Sequence, residues 1–286
     1  MTTTKQSNFG AALKTTLLLA GLGGLLVVIG ALIGGVQGAS IFLVIALVIN
    51  LGTYFFSDKI AIRAAGAKPV SEEEDPRLYE MVRDLTTRAG LPMPKLFVIP
   101  QEQPNAFATG RNPNHSAVAV TAGIRKLLSE DELRGVLAHE LGHVRNHDIL
   151  LTSVVASIAS AITWIGYMVL WIGGDDDSPL GIIGPLLLWL LAPIAAAVIQ
   201  LAISRQREYA ADATGAAICG NPESLASALL RLESGAQAIP MQVNQASEPL
   251  YIVKPFHGGG LANLFSTHPP IEERVRRLRQ MRPTIG

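Results

Sequence analysis

The sequence predicts a mainly helical integral membrane protein with a small β-sheet and about four transmembrane helices. Charged residues fill only 16% of its 286 positions, against roughly 25% in an ordinary soluble domain. The apolar share, 49%, is ordinary, so the apolar residues must be unevenly placed. They are: long uncharged runs alternate with charge-dense blocks, and within those blocks segments of helical period outnumber short strand-like runs.

Four runs are candidate spans: residues 15–36, 39–56, 149–173 and 180–203. Each is close to the ~20 apolar residues needed to cross a hydrocarbon core of ~30 Å. Only Gln37 and Gly38 separate the first two, so a tight hairpin is expected, with Asn50 as the strongly polar residue of its second limb. Lys5, Lys14 and the small residues Gly38-Ala39-Ser40 resemble parts of a signal peptide. The apolar region is longer than the ~7–15 residues of a signal core, and a second apolar run follows at once, so a retained anchor is expected. Lys5, Lys14, Lys59, Arg63, Lys68, Arg145, Arg205 and Arg207 flank the runs on one side, whereas the connector after the third holds Asp175, Asp176 and Asp177. Basic flanks mark the cytoplasmic side, which puts both termini there. The chain thus divides into a hairpin (1–56), a cytoplasmic block (57–148), a second helix pair (149–203) and a second cytoplasmic block (204–286). Pro185 and Pro193 interrupt the fourth run, so a shallow or partly buried pair is the alternative there.

In the first block, an acidic linker ends at Pro76, and 77–89 has Leu78, Met81, Val82 and Leu85 on one helical stripe before Gly90. Residues 95–99 and 117–121 read as short strands. Ser129 and Glu132 form a capping box that opens a helix with Leu133, Val136, Leu137 and Leu141 along one face. The second block predicts helices over 208–217 and 222–233, a loop rich in Gly and Pro, and a basic helix from about Pro270. Lys and Arg equal Asp and Glu at 23 each, so net charge gives no reason to expect a nucleic-acid partner. The single cysteine, Cys219, excludes an intrachain disulfide.

The chemistry lies in His139-Glu140-Leu141-Gly142-His143. Four residues apart on a helix, the two imidazoles share a face and converge on one ion such as zinc, which takes imidazole and carboxylate ligands alike. Glu140 lies about 100° around that helix, placed to act as general base on a water at the metal rather than as a ligand. A third ligand is available on a second helix, where Glu208 and Asp212 are four apart in Arg207-Glu208-Tyr209-Ala210-Ala211-Asp212. Glu208 completes a His2Glu set with a position left for water, and Asp212 accepts the free N–H of His139 or His143. An antiparallel pair of spans between 148 and 204 would return Glu208 to the same membrane surface. His147 is the rival third ligand, but it lies two turns from His139, about 12 Å along a straight helix. His147 and Asp148 therefore read as a helix-end feature at the membrane interface. The charged flanks Glu130, Asp131, Glu132, Arg134, Arg145 and Asp148 argue against a site inside the bilayer. A non-catalytic metal-binding membrane scaffold or adaptor would need the ligands but not Glu140. Imidazole and carboxylate also suit divalent neighbours of zinc.

Together these residues make the chain resemble the M48 peptidases, and within them bacterial membrane heat-shock proteases. The resemblance runs along nearly the whole chain and includes Asn105-Ala106-Phe107-Ala108-Thr109-Gly110 and Phe265-Ser266-Thr267-His268-Pro269-Pro270. It implies a zincin-like α+β fold, one zinc ion per chain, a bacterial inner-membrane location with the active site facing the cytoplasm, and cleavage of misfolded or damaged proteins, including membrane proteins. It further implies that Asn105 lies on an edge strand that pairs with the substrate backbone, and that His268 helps to stabilise the oxyanion.

Overall fold

The computed structural model describes residues 2–155, 205–238 and 269–281. It opens with helix α1 (Thr2–Ala64), which is bent back on itself at Gly34-Gly35. Gly35 has φ 56°, a left-handed conformation that glycine adopts without a Cβ penalty. The turn thus falls at Gly34-Gly35 rather than at the expected Gln37-Gly38, because the reversal needs that backbone freedom. The second limb continues past 56 to Ala64. Asn50 holds the limbs together: its Nδ2 donates to the carbonyl of Leu19 at 2.9 Å. Among the described residues one helix, Gly34–Ala64, is long and apolar enough to cross a membrane, and a shorter apolar helix covers Thr15–Val28. Of the second expected pair, only 149–155 is described, and it is helical; the rest lies outside the described residues.

A four-stranded mixed sheet follows. Its strands are β1 (Lys68–Pro69), β2 (Lys95–Ile99), β3 (Ala106–Asn112) and β4 (His115–Thr121). Their order is β1-β2-β4-β3, which leaves β3 at an edge. β2 runs parallel to β4, and the other pairs are antiparallel. Period-two alternation gives the sheet two apolar faces. Leu96, Ala106, Ala108, Val118 and Val120 face the main core, while Ile99, Phe107, Ala117 and Ala119 pack with Ala61 and Ile62 at the end of α1.

Besides the helical segment 149–155, the described structure holds α2 (Pro76–Ala89), α3 (Ala122–Leu127), α4 (Glu130–Arg145), α5 (Arg205–Cys219), α6 (Pro222–Ala238) and α7 (Ile271–Gln280). β3 and α3 have no counterpart in the elements predicted from sequence periodicity. The small residues and Gly of 106–112 carry little strand signal, and α3 is less than two turns long. α4 starts where the capping box predicts: Ser129 Oγ accepts from the Glu132 N–H, and Glu132 returns the bond to the Ser129 N–H at 2.8 Å. The same Glu132 accepts from Ser227 Oγ of α6 at 2.6 Å, so the cap also docks a neighbour.

α4 is the centre of the core. Val136, Leu137, Ala138 and Leu141 are buried on it, each large apolar side chain contributing roughly 1.5–3 kcal/mol. It crosses α5 at backbone distance. A Cβ placed on Gly215 would lie 2.8 Å from the His139 Cα, and one on Gly142 would lie 2.8 Å from the Ala211 carbonyl oxygen. Gly215→Ala should therefore destabilise the protein by about 1–3 kcal/mol through overpacking. Glycine to alanine in an open helix would instead stabilise by roughly 0.8–1.0 kcal/mol. Thermal unfolding of the detergent-solubilised chain distinguishes the two signs.

Candidate metal centre

The α4–α5 crossing brings three ligand atoms together. His139 and His143 project from α4, and Glu208 from the first turn of α5. The two Nε2 atoms are 3.2 Å apart. Glu208 Oε2 is 3.7 Å from His139 Nε2, and Oε1 is 3.6 Å from His143 Nε2. All three ligand atoms lie within 4.8 Å of one another, a group able to hold a metal ion. Bonds of about 2.0–2.1 Å meeting at tetrahedral angles place donors about 3.3–3.4 Å apart, so this spacing fits one small divalent ion closely.

Each imidazole has its own carboxylate behind it. Asp212, one turn along α5 from Glu208, lies 2.9 Å from His139 Nδ1. Asp148 lies 3.1 Å from His143 Nδ1 through either oxygen. Both contacts fix the imidazole with Nε2 turned to the centre. Asp148 is thus not merely an interface residue: the chain turns after α4 at Asn146 and His147, the latter with φ 59°, and swings Asp148 back under His143. His147 itself is exposed, bonds the Arg145 carbonyl, and stands outside the ligand group.

Glu140 points to the opposite neighbour, the sheet. Its Oε2 accepts the Ala108 N–H of β3 at 2.8 Å, which pins the carboxylate between the imidazoles and the strand edge. Asn105 immediately precedes β3 and is buried. Its N–H donates to Thr121 Oγ1 at 2.8 Å and its carbonyl accepts from the Thr121 N–H at 2.9 Å. His268 lies outside the described residues.

A group that sequence reasoning missed comes from α7. Arg274 is fully buried. Its Nε donates to Asp212 Oδ2 at 2.9 Å and its Nη2 to Oδ1 at 2.7 Å. A signal for it was present: Ile271, Arg274, Val275 and Leu278 occupy one helical face, so a cation stands at a core position of an amphipathic helix.

The electrostatics follow from crowding. Burial raises the pKa of Glu140, although His139, His143 and the Ala108 N–H favour its anion; a carboxylate poised nearer neutrality makes a better proton acceptor at the metal. Burial would raise Asp212 too, but Arg274 and His139 outweigh it and hold the carboxyl down at about 2. Burial disfavours the His143 cation, yet Asp148, Glu208 and Glu140 more than offset it and raise the group to about 10. Four carboxylates converge on two imidazoles; Arg274 and Arg207 answer part of that charge, and the remainder suits a bound cation.

Residues 72–282 match the model of peptidase family M48. The chain belongs to that family. An M48 relative from Pelotomaculum thermopropionicum, described as a protease HtpX homolog, is 56% identical over 94% of this chain and 98% of its own length. A second protease HtpX homolog, from Syntrophobacter fumaroxidans, is 50% identical over 95% of this chain and all of its own. Among solved structures, the crystal structure of S. mikatae Ste24p shares the fold at a TM-score of 0.50, with 21% identity over 97% of this chain and 67% of that one. The protein is an M48 metallopeptidase.

Because a metal and a proton compete for His143, metal affinity should rise with pH up to the region near 10, where that imidazolium titrates. At neutral pH, uptake of a divalent ion should release about one proton. Calorimetric titration in buffers of different ionisation enthalpy counts it; no release would show that His143 is already deprotonated.

Proposed function

We propose that the protein is a membrane-bound zinc-dependent endopeptidase that hydrolyses peptide bonds in misfolded or damaged proteins, including membrane proteins. The observation that carries this reading is the pairing of a His2Glu ligand group with Glu140, whose carboxylate is held at the sheet edge by the Ala108 N–H. A scaffold would have no use for a base fixed in that position.

His139, His143 and Glu208 would hold the zinc, which when bound polarises the scissile carbonyl and acidifies a water molecule. Glu140 takes the proton of the attacking water and passes it to the leaving amine. Asp212 and Asp148 keep the imidazoles turned so that Nε2 serves as ligand. The substrate lies extended beside the Asn105 end of β3, short of Ala108 and Gly110, whose outward N–H groups are already taken; backbone hydrogen bonding there accepts many sequences and suits unfolded chains. His268 donates to the developing oxyanion.

The apolar hairpin supports residence in a lipid bilayer. The basic flanks support an inner-membrane topology of four spans with the site and both termini in the cytoplasm. Proximity to the bilayer favours substrates extracted from it or lying at its surface.

Glu140→Gln should retain zinc and lose roughly 10²–10⁴-fold in the rate of cleaving an unfolded protein substrate. Glu208→Ala should bind zinc much more weakly. Wild-type zinc content in the Glu208 variant would remove it from the ligand set. Zinc-loaded wild type that cuts no unfolded substrate would support a scaffold instead.

A further inference from the structure

We propose that Arg274 is a positioning residue of the metal centre, which sets the orientation of His139 by gripping Asp212 and thereby makes docking of α7 part of metal binding. The proposal rests on His139, His143 and Glu208 being the metal ligands.

The geometry is specific. Arg274 Nε and Nη2 take the two oxygens of Asp212 separately, at 2.9 and 2.7 Å, a bidentate arrangement that fixes the plane of the carboxylate as a single ammonium donor would not. The oxygen that receives Nη2, Oδ1, is also the one 2.9 Å from His139 Nδ1. Rotation of Asp212 away from His139 would break both guanidinium bonds. Among the described residues Arg274 Nη1 makes no hydrogen bond, and it stands 3.9 Å from Glu208 Oε2. One cation therefore addresses a carboxylate behind the first imidazole and the carboxylate of the third ligand at once.

A purely structural role explains less. A buried guanidinium pays a desolvation cost that an apolar residue of similar size would not. α7 has other means of docking: Val275 and Leu278 are buried, Arg277 stacks 3.8 Å over the ring of Tyr209 on α5, and Arg279 pairs with Glu223 of α6 at 2.7 Å. None of these contacts requires a charge at 274. What does require one is Asp212, a buried carboxylate with no other cationic side chain in contact among the described residues apart from the imidazole it orients.

The test uses the full chain in detergent: wild type, Arg274→Met, Arg274→Lys, Asp212→Asn and the Met/Asn double variant. Zinc affinity is measured by competition with a chromophoric chelator. The absorption bands of the cobalt-substituted protein report ligand geometry, and thermal unfolding of the metal-free chain reports the fold. Arg274→Met should weaken zinc by roughly 10–100-fold and shift the cobalt bands, with Arg274→Lys in between. The double variant should bind about as weakly as the weaker single one, since both changes break one relay. Wild-type zinc affinity and cobalt bands in Arg274→Met, with only a lower melting temperature, would overturn the proposal. Should the Met variant fail to fold, the Lys variant decides: weaker zinc with unchanged melting supports the relay, and wild-type zinc affinity refutes it. A wild type that binds neither zinc nor cobalt would defeat the ligand assignment itself and the proposal with it; wild-type metal binding beside an unaffected Arg274 variant defeats only the proposal.

Discussion

The close crossing of α4 and α5 is the constraint on which the site depends. His139 and His143 would share a face on any helix. Glu208, 65 residues after His143, can join them as a candidate third ligand only if the second helix lies almost against the first. Gly142 and Gly215 permit that approach: each stands where a side chain would strike the other helix's backbone or the carbonyl beside it. Gly215 meets α4 at the Cα of His139 itself, so the spacing of the helices and the position of a candidate ligand are one quantity. The apolar side chains of α4 then keep the crossing rigid, which suits a centre whose donors must hold their places to a few tenths of an ångström.

Around that crossing the chain assembles a charge problem and its solution. Glu140, Asp148, Glu208 and Asp212 crowd around two imidazoles within a space mostly withdrawn from solvent. Such an excess of carboxylate is costly unless cations answer it. Arg274 and Arg207 answer part of it. A divalent ion between the imidazoles and Glu208 would answer the rest. The strand edge takes part as well. The Ala108 N–H on Glu140 and the Ser153 hydroxyl on the Gly110 N–H at 3.0 Å occupy two outward-facing donors of β3. The edge is thus tied to α4 at one point, and at another to the helix that begins at 149.

Local signals in the residues were enough for several elements. The Ser129/Glu132 box marks the start of α4 because both of its hydrogen bonds are made within four residues. The run 95–99 reads as a strand, and β2 has those limits, because its apolar side chains serve both faces of the sheet. β3 was illegible by periodicity: Ala, Thr and Gly have weak strand preference, and the strand is held by β4 and by Glu140 rather than by its own composition. The hairpin was legible as a reversal, but its turn lies at Gly34-Gly35, where a positive φ is available, and not at the polar Gln37.

The sequence by itself determined the candidate metal-binding unit: two imidazoles and a carboxylate on one helix, with Glu208 and Asp212 at matching spacing on another. Helical geometry at short range dictates which side chains share a face, and nothing distant can change it. Tertiary structure alone decided the partners. It gave Asp212 to His139 and Asp148 to His143, turned Glu140 toward Ala108, and brought Arg274 from a third helix to close the set. Apart from Asp148 and His143, those pairings join residues 32 to 73 positions apart; they depend on how helices cross and which faces they bury, a property of the packed chain that no local run of residues encodes.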